Sequence, residues 1–398
     1  MDEAHESRKA TTPLSPVGVL TLLSVASLTI MVGYVIVPGL PSIASALNLG
    51  KASGWLITLP SLGVVLFGPV AGRIIDAIGP HGSLRLGLLL YGNLGLAAVF
   101  LPGVSLVLAD RVLLGGATAL VMCGGTALIS EFFAGKERLR MIARQGMAIE
   151  LGGVIFLALG GWLTAFGWAA PFSLYAVALL FLAITFWFIP QGHRSAPEQH
   201  HCVGTVGSSS LKPVFLAALC SMVVFFAAVI LLPFRLTKPE LAGLSESQTG
   251  YFLSFVSLVA VGFAGILAKI TARIGDRRTL MMAFVAYAAA YICFATAKGL
   301  APFVLGGISL GAGFGLSIPL VNHMTVERSP VHLRGRNLAY LSMAIFAGQF
   351  LASPLGYVPG GTANSMLVAA TIALAAALFG LTQRPANDVA VNEDQGAT

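Results

Sequence analysis

"AGRIIDAIGPHG" (residues 71–82) and "LAKITARIGDRR" (residues 267–278) each interrupt long apolar sequence with a glycine and a cluster of charge. The chain around them is 57% hydrophobic and only 10% charged over 398 residues, with a mean hydropathy of +0.87, far beyond ordinary soluble domains. A span needs roughly 20 apolar residues. Six such runs fall at 17–38, 54–75, 84–102, 105–130, 142–166 and 168–189, and six more at 213–234, 250–271, 279–297, 300–324, 338–359 and 362–382. The two quoted stretches are the second loop of each set.

The second stretch is an echo of the first. Sliding the chain by 196 residues places Gly54 on Gly250, Gly79 on Gly275, Gly115 on Gly311, Glu131 on Glu327, Arg138 on Arg334, Arg140 on Arg336, Gly152 on Gly348 and Gly160 on Gly356. Glycine matches come cheaply in a chain with 46 glycines. The Glu-x6-Arg-x-Arg match is more specific and falls at the same loop of each half. Because each half holds an even number of spans, the halves are parallel repeats about an axis along the membrane normal. The expected division is a tail at 1–16, a six-helix bundle at 17–189, a Gly, Ser and Pro-rich linker at 190–212, a second bundle at 213–382 and a tail at 383–398.

Charge gives the orientation. With the N-terminus in the cytoplasm, 18 of the 23 Lys and Arg residues lie in or beside inner segments, four lie outside, and Arg111 stays within a span. That asymmetry follows the positive-inside rule, so both termini are expected in the cytoplasm of a cell (plasma or inner) membrane. The net charge of +7 then records topology rather than a nucleic-acid partner. The first apolar run is too long for a signal-peptide core and lacks a clear cleavage site, so it is expected to be retained.

No cofactor or metal is expected. Cys123, Cys202, Cys220 and Cys293 have no paired spacing, and His200, His201 and Cys202 read as incidental in a flexible linker. Gly311, Gly313 and Gly315 lie inside an apolar span with no strand before them, which excludes a nucleotide fingerprint and suits close helix approach. No Walker sequence or catalytic constellation is present, and His323 with Glu327 reads as a cytoplasmic helix cap. The chain is not read as an enzyme.

Two six-span halves, a central loop and this turn after the second span resemble the major facilitator superfamily. The resemblance implies an all-α polytopic membrane protein of twelve helices in two pseudo-symmetric bundles. The superfamily loop is approximately G-x-x-x-D-R-x-G-R-R. The first copy here keeps Gly72, Asp76 and Gly79 but lacks the Arg after the acid and the basic pair; the second keeps Arg273, Gly275 and Arg277 but has Ala268 and Ala272 for the Gly and the acid. By resemblance these residues latch helices across the cytoplasmic face when the outside is open. Asp76 would pair with Arg336 or Arg334, and in the other half Arg273 would meet Glu131 or Arg277 would cap a helix; Arg140 and Glu327 complete the repeated set. The plainer reading is that these charges fix topology and solvate the loops.

Charges within spans are functional candidates, because an unpaired charge in hydrocarbon is costly. Arg111 and Gly115 in span four resemble the superfamily's R-x-x-x-G, whose Arg faces the central cavity. Helical rise puts Arg111 roughly 9 Å from the outer end and Glu150 roughly 12 Å from the inner end, which leaves roughly 9 Å between them in a layer of about 30 Å. Helical geometry allows a pair or water-linked relay between them, and the plainer alternative is a structural ion pair pinning two helices. Asp110, next in sequence to Arg111, points about 100° away and is expected to be a poor partner. Tyr34 completes the first-half set, with Tyr340 and Gln349 in the second.

Span five keeps the glycine frame of drug–proton antiporters at Gly152, Gly160 and Gly161, but Phe156 and Leu157 stand at its Gly-Pro centre. Span one carries no acid, which weakens promiscuous cationic-drug export. The reading is therefore a secondary transporter of a small organic solute, proton-coupled, working by alternating access as a monomer in the lipid bilayer, with efflux and uptake both open. The alternative is a transport-inactive receptor or assembly partner that retains the fold, motivated by the eroded loop motif.

Overall fold

The computed structural model describes residues 14–190, 211–330 and 333–382. The expectations for 1–13, most of the 190–212 linker with its His200, His201 and Cys202, and the 383–398 tail lie outside these residues. The described chain is all-helical: α1 (Pro16–Tyr34), a short α2 (Leu40–Ala46), α3 (Ser53–Ala97), α4 (Val104–Phe132), α5 (Gly135–Thr164) and α6 (Ala176–Phe188) form the first half. The second half comprises α7 (Lys212–Leu236), α8 (Glu246–Ile274), α9 (Asp276–Thr296), α10 (Leu300–Glu327), α11 (Arg334–Leu351) and α12 (Gly361–Thr382).

Among the described residues, eleven helical stretches are long and apolar enough to cross a membrane, and α3 supplies two crossings. Its 45 residues would extend about 68 Å if straight, more than twice the hydrocarbon thickness. It breaks at Gly79, where φ is 77° and ψ is 167°, and Pro80 opens the second limb, as proline does at a helix start. Gly275 repeats the geometry between α8 and α9, with φ 80° and ψ 160°. A side chain at either position is strained by the positive φ, which is the physical content of the echo in the sequence.

Local sequence sets other ends. The Ser15 hydroxyl accepts from the Gly18 N–H at 3.1 Å, with Pro16 at the first helical position of α1. A capping box starts α8: Gln248 N–H donates to Ser245 Oγ at 3.2 Å, and Ser245 N–H donates to Gln248 Oε1 at 2.9 Å. Several boundaries depart from the sequence reading: α1 ends at Tyr34 rather than 38, α8 starts at Glu246 rather than 250, and α11 ends at Leu351 rather than 359. α5 begins at Gly135 rather than 142, because Arg138, Arg140 and Arg144 continue the helical turn into the polar boundary. The run at 168–189 starts as a tight helical turn over Ala170–Tyr175 before α6, placing Tyr175 inside the bundle. Leu66, Leu180 and Trp187 are exposed, as a surface facing hydrocarbon requires.

The halves meet along two seams, α5 against α8 and α3 against α11. On the first, Ser254 Oγ donates to the Val154 carbonyl at 2.9 Å. A turn further along, a Cβ on Gly250 would lie 2.7 Å from Gly161 Cα and from the Leu157 carbonyl oxygen, so both glycines are needed for the helices to cross. On the second, Trp55 Nε1 donates to Tyr357 OH at 2.8 Å, Thr58 bonds Ser353, and Ser61 Oγ donates to Gln349 Oε1 at 2.6 Å. All of these contacts lie from mid-helix to the end opposite the Gly79 and Gly275 turns. That end is sealed by these contacts, while at the end with the glycine turns Asp76, Arg140 and Arg273 are exposed, and this is the open end.

Candidate functional site

A tight cavity of about 10 Å³, room for about one water, lies between the halves on the sealed side of the midplane. Tyr34, Leu157, Phe225, Val256 and Leu310 give it an apolar, aromatic wall, and Ser257 adds a hydroxyl. The Tyr34 ring sits 6.3 Å from that of Phe226. Glu150 lies seven residues before Leu157 on α5, about 10 Å nearer the open end and close to the middle of its helix. It is partly exposed, lies within electrostatic reach of Tyr34 and Tyr287, and forms no ion pair among the described residues.

Arg111 and Glu150 are not brought together. The relay that helical geometry allows is replaced by an Asp110–Arg111 pair: Arg111 Nη2 and Nε donate to Asp110 Oδ2 at 2.7 and 3.1 Å. The helical offset of about 100° separates the Cα–Cβ directions, but the long Arg side chain folds back over that gap. Its remaining donors reach the Leu94 carbonyl at 3.2 Å and Tyr175 OH at 3.4 Å. Tyr175 OH in turn donates to the Val32 carbonyl at 2.7 Å, and the Phe172 and Tyr175 rings flank the guanidinium at 5.7 and 5.5 Å. Arg111 is fully buried and Asp110 is 5% exposed. The pair therefore ties α1, α3, α4 and the Ala170–Tyr175 turn together inside one half, away from the cavity, contrary to the cavity-facing Arg implied by resemblance.

In the second half, Gln349 belongs to the α3–α11 seam, accepting from Ser61 and directing Nε2 toward Met222 Sδ at 3.9 Å. Tyr340 packs against Phe215 at 6.4 Å, and its hydroxyl is buried with no hydrogen-bond partner. A group that sequence reasoning missed is a triangle of buried hydroxyls: Ser221 Oγ to Ser317 Oγ at 2.7 Å, Ser221 to Tyr287 OH at 3.0 Å, and Tyr287 to Ser317 at 3.2 Å. One signal was present, since the 196-residue shift also places Tyr91 on Tyr287.

At the open end, Asp76, Arg140, Arg273, Glu327 and Arg334 are exposed, and Gly72 and Arg277 are partly so. Arg334 Nε donates to the Val326 carbonyl at 3.2 Å, while Arg336 Nε is buried without a partner. Neither pairs with Asp76 in this state. Glu131 faces His81 Nδ1 at 4.0 Å rather than Arg273, because His81 opens the second limb of α3, beside the end of α4.

Known proteins place this architecture. The family model for the Major Facilitator Superfamily matches residues 22–353 and 214–396. The chain belongs to that superfamily. It is 26% identical over 264 residues to Multidrug resistance protein 2 of Bacillus subtilis (strain 168), a match covering 63% of this chain and 66% of that protein, just under two thirds of its length. It is 24% identical to the multi-drug resistance efflux pump PmrA of Streptococcus pneumoniae, over 84% of this chain and 89% of the pump. The crystal structure of a D-xylose–proton symporter superposes with a TM-score of 0.73 at 17% identity, over 93% of this chain and 98% of that one, a likeness of fold.

Proposed function

We propose that this chain is a secondary transporter that exports a small amphipathic organic solute in exchange for protons, with Glu150 as the proton carrier. The observation that carries this reading is a carboxyl group in the middle of a membrane-spanning helix, about 10 Å along that helix from an aromatic-walled cavity and without an ion-pair partner among the described residues. Such a group is costly to keep charged in hydrocarbon and favours function over packing. Protonation removes that cost, and water or a cationic solute entering the cavity lowers it, so that the proton is released. The names of the relatives, a multidrug resistance protein and an efflux pump, support export.

The positive-inside distribution supports cytoplasmic termini and a cytoplasmic position for the Gly79 and Gly275 turns, so this state opens to the cytoplasm. The units that rock are the bundles at 17–189 and 213–382, joined by the 190–212 linker within a single monomer. Asp76 and Arg336 then form the latch of the opposite state: here the acid is exposed and Arg336 Nε lacks a partner, and closure of this end is what would join them.

The test is reconstitution of the full chain into lipid vesicles with an imposed pH gradient and a panel that includes ethidium, a neutral aromatic analogue and an aromatic carboxylate. The expected result is uphill movement of at least one amphipathic probe that collapses with a protonophore. Proton-independent movement of every transported probe would overturn the coupling.

A further inference from the structure

α8 presents a stripe to the other half. Glu246, Gly250 and Ser254 recur at four-residue intervals on one face: Ser254 bonds the Val154 carbonyl, Gly250 crosses Gly161, and Glu246 reaches past the end of α5 to α2. There Ser42 N–H donates to Glu246 Oε1 at 2.9 Å, and Ser42 Oγ donates to Oε2 at 2.8 Å. The carboxylate is spare at its own helix, because the Ser245–Gln248 capping box already satisfies the start of α8. The Ser42 hydroxyl has a local alternative in the Gly39 carbonyl at 3.1 Å, but the Ser42 backbone N–H has none. Gly39 precedes α2 with no side chain to offer, Pro41 has no N–H, and the Ser42 N–H would otherwise turn to water.

We infer that Glu246 is the releasable strut of the sealed end: its two bonds to Ser42 hold the halves together there, and they must break each time the cavity opens on that side. This inference rests on the alternating-access reading. The bridge joins residues 204 apart in sequence and shares its helix face with the contacts that close the cavity. The α3–α11 seam is made of neutral hydroxyl, indole and amide groups. Glu246 differs in carrying a full charge, and hydrogen bonds to charged groups are the stronger kind. A contact made in one state and absent from the other sets their ratio, so Glu246 is a positioning residue for the cycle rather than a solute contact.

The test is pulsed electron–electron distance measurement on the full chain in nanodiscs, in a cysteine-less background and without solute. One spin-label pair reports the sealed end (Lys51 and Lys298) and a second the open end (Arg144 and Arg328), all four exposed and one of each pair in each half. E246A is expected to raise the population with a long sealed-end distance and a short open-end distance about tenfold. E246Q, which keeps one acceptor and gains a donor toward Ser42 Oγ, is expected to give a few-fold shift. S42A, which keeps the backbone N–H, is expected to give a smaller one still. Unchanged ratios in folded E246A overturn the inference, as does a lowered thermal midpoint with unchanged ratios, which marks a merely structural bridge. Should E246A not fold, unchanged ratios in both E246Q and S42A have the same force. The two readings fail separately: shifted distances without solute transport leave the strut standing, and transport with unshifted distances removes the strut alone.

Discussion

The two halves are built on one plan and filled with different chemistry. Tyr91 donates to the Leu28 carbonyl in the first half, and in the second Tyr291 donates to Val224, the residue the 196-residue shift places on Leu28. Where the first half carries Asp110 and Arg111, the second carries Gly306 and Gly307, and a stacked Phe294–Phe303 pair at 6.0 Å fills the space beside them. Where the first half carries Glu150 the second has Phe346. In place of a buried ion pair the second half has a neutral hydroxyl triangle, and its one buried arginine among the described residues, Arg235, reaches the Ala295 carbonyl at 3.3 Å. The pseudo-symmetric frame therefore does not need the ion pair, and the proposed proton carrier, Glu150, has no acidic counterpart at its repeat position.

The largest effect expected to sharpen this contrast is at Arg111. Arg111→Ala leaves Asp110 buried without its partner and is expected to cost about 3–5 kcal/mol, read as loss of folded protein in thermal scanning of detergent extracts. Replacing both members with apolar residues, Asp110→Leu with Arg111→Met, is expected to restore most of that stability and to leave solute-driven proton movement in place. Activity lost in a stable double variant would return Arg111 to the transport pathway and break the comparison.

A smaller effect is expected in the second half. Tyr287→Phe removes one corner of the triangle while Ser221 and Ser317 keep each other, at a cost of about 1 kcal/mol, measured as a shift in denaturation midpoint. A collapse comparable to Arg111→Ala would show that the neutral half is as dependent on its polar group as the charged one. The mildest expectation concerns the loop that opens the repeat. If Asp76 latches the open end when it closes, as proposed, Asp76→Asn removes a contact made only in that state, and labelling of cysteines placed at that end is expected to rise a few-fold with no change in stability. Unchanged labelling would leave Asp76 a topology marker.

The frame is legible in the sequence because apolar length, loop charge and the 196-residue echo are collective signals that survive local substitutions. Gly79 and Gly275 are readable individually, since a positive φ leaves few alternatives to glycine. The site is only partly readable. Asp110 and Arg111 are each visible as intramembrane charges, but their pairing depends on how a flexible side chain folds back onto Tyr175 and the Leu94 carbonyl, which helical spacing does not encode. Gln349 reads from sequence as a solute contact and lies in a seam, because Ser61 opposite it carries no pattern of its own. Ser42 and Glu246 are ordinary loop-end residues in sequence, and only the approach of the two halves makes them partners.

The claim that Glu150 carries the coupling proton is tested most directly by comparing two modes of transport in vesicles bearing Glu150→Gln. The amide keeps the size of the side chain and removes its titration. Uphill accumulation driven by a pH gradient is expected to fall to background, while exchange of labelled for unlabelled solute at equal pH continues at near wild-type rate. Gradient-driven accumulation at the wild-type rate in Glu150→Gln vesicles would contradict the account and make the carboxylate a structural group.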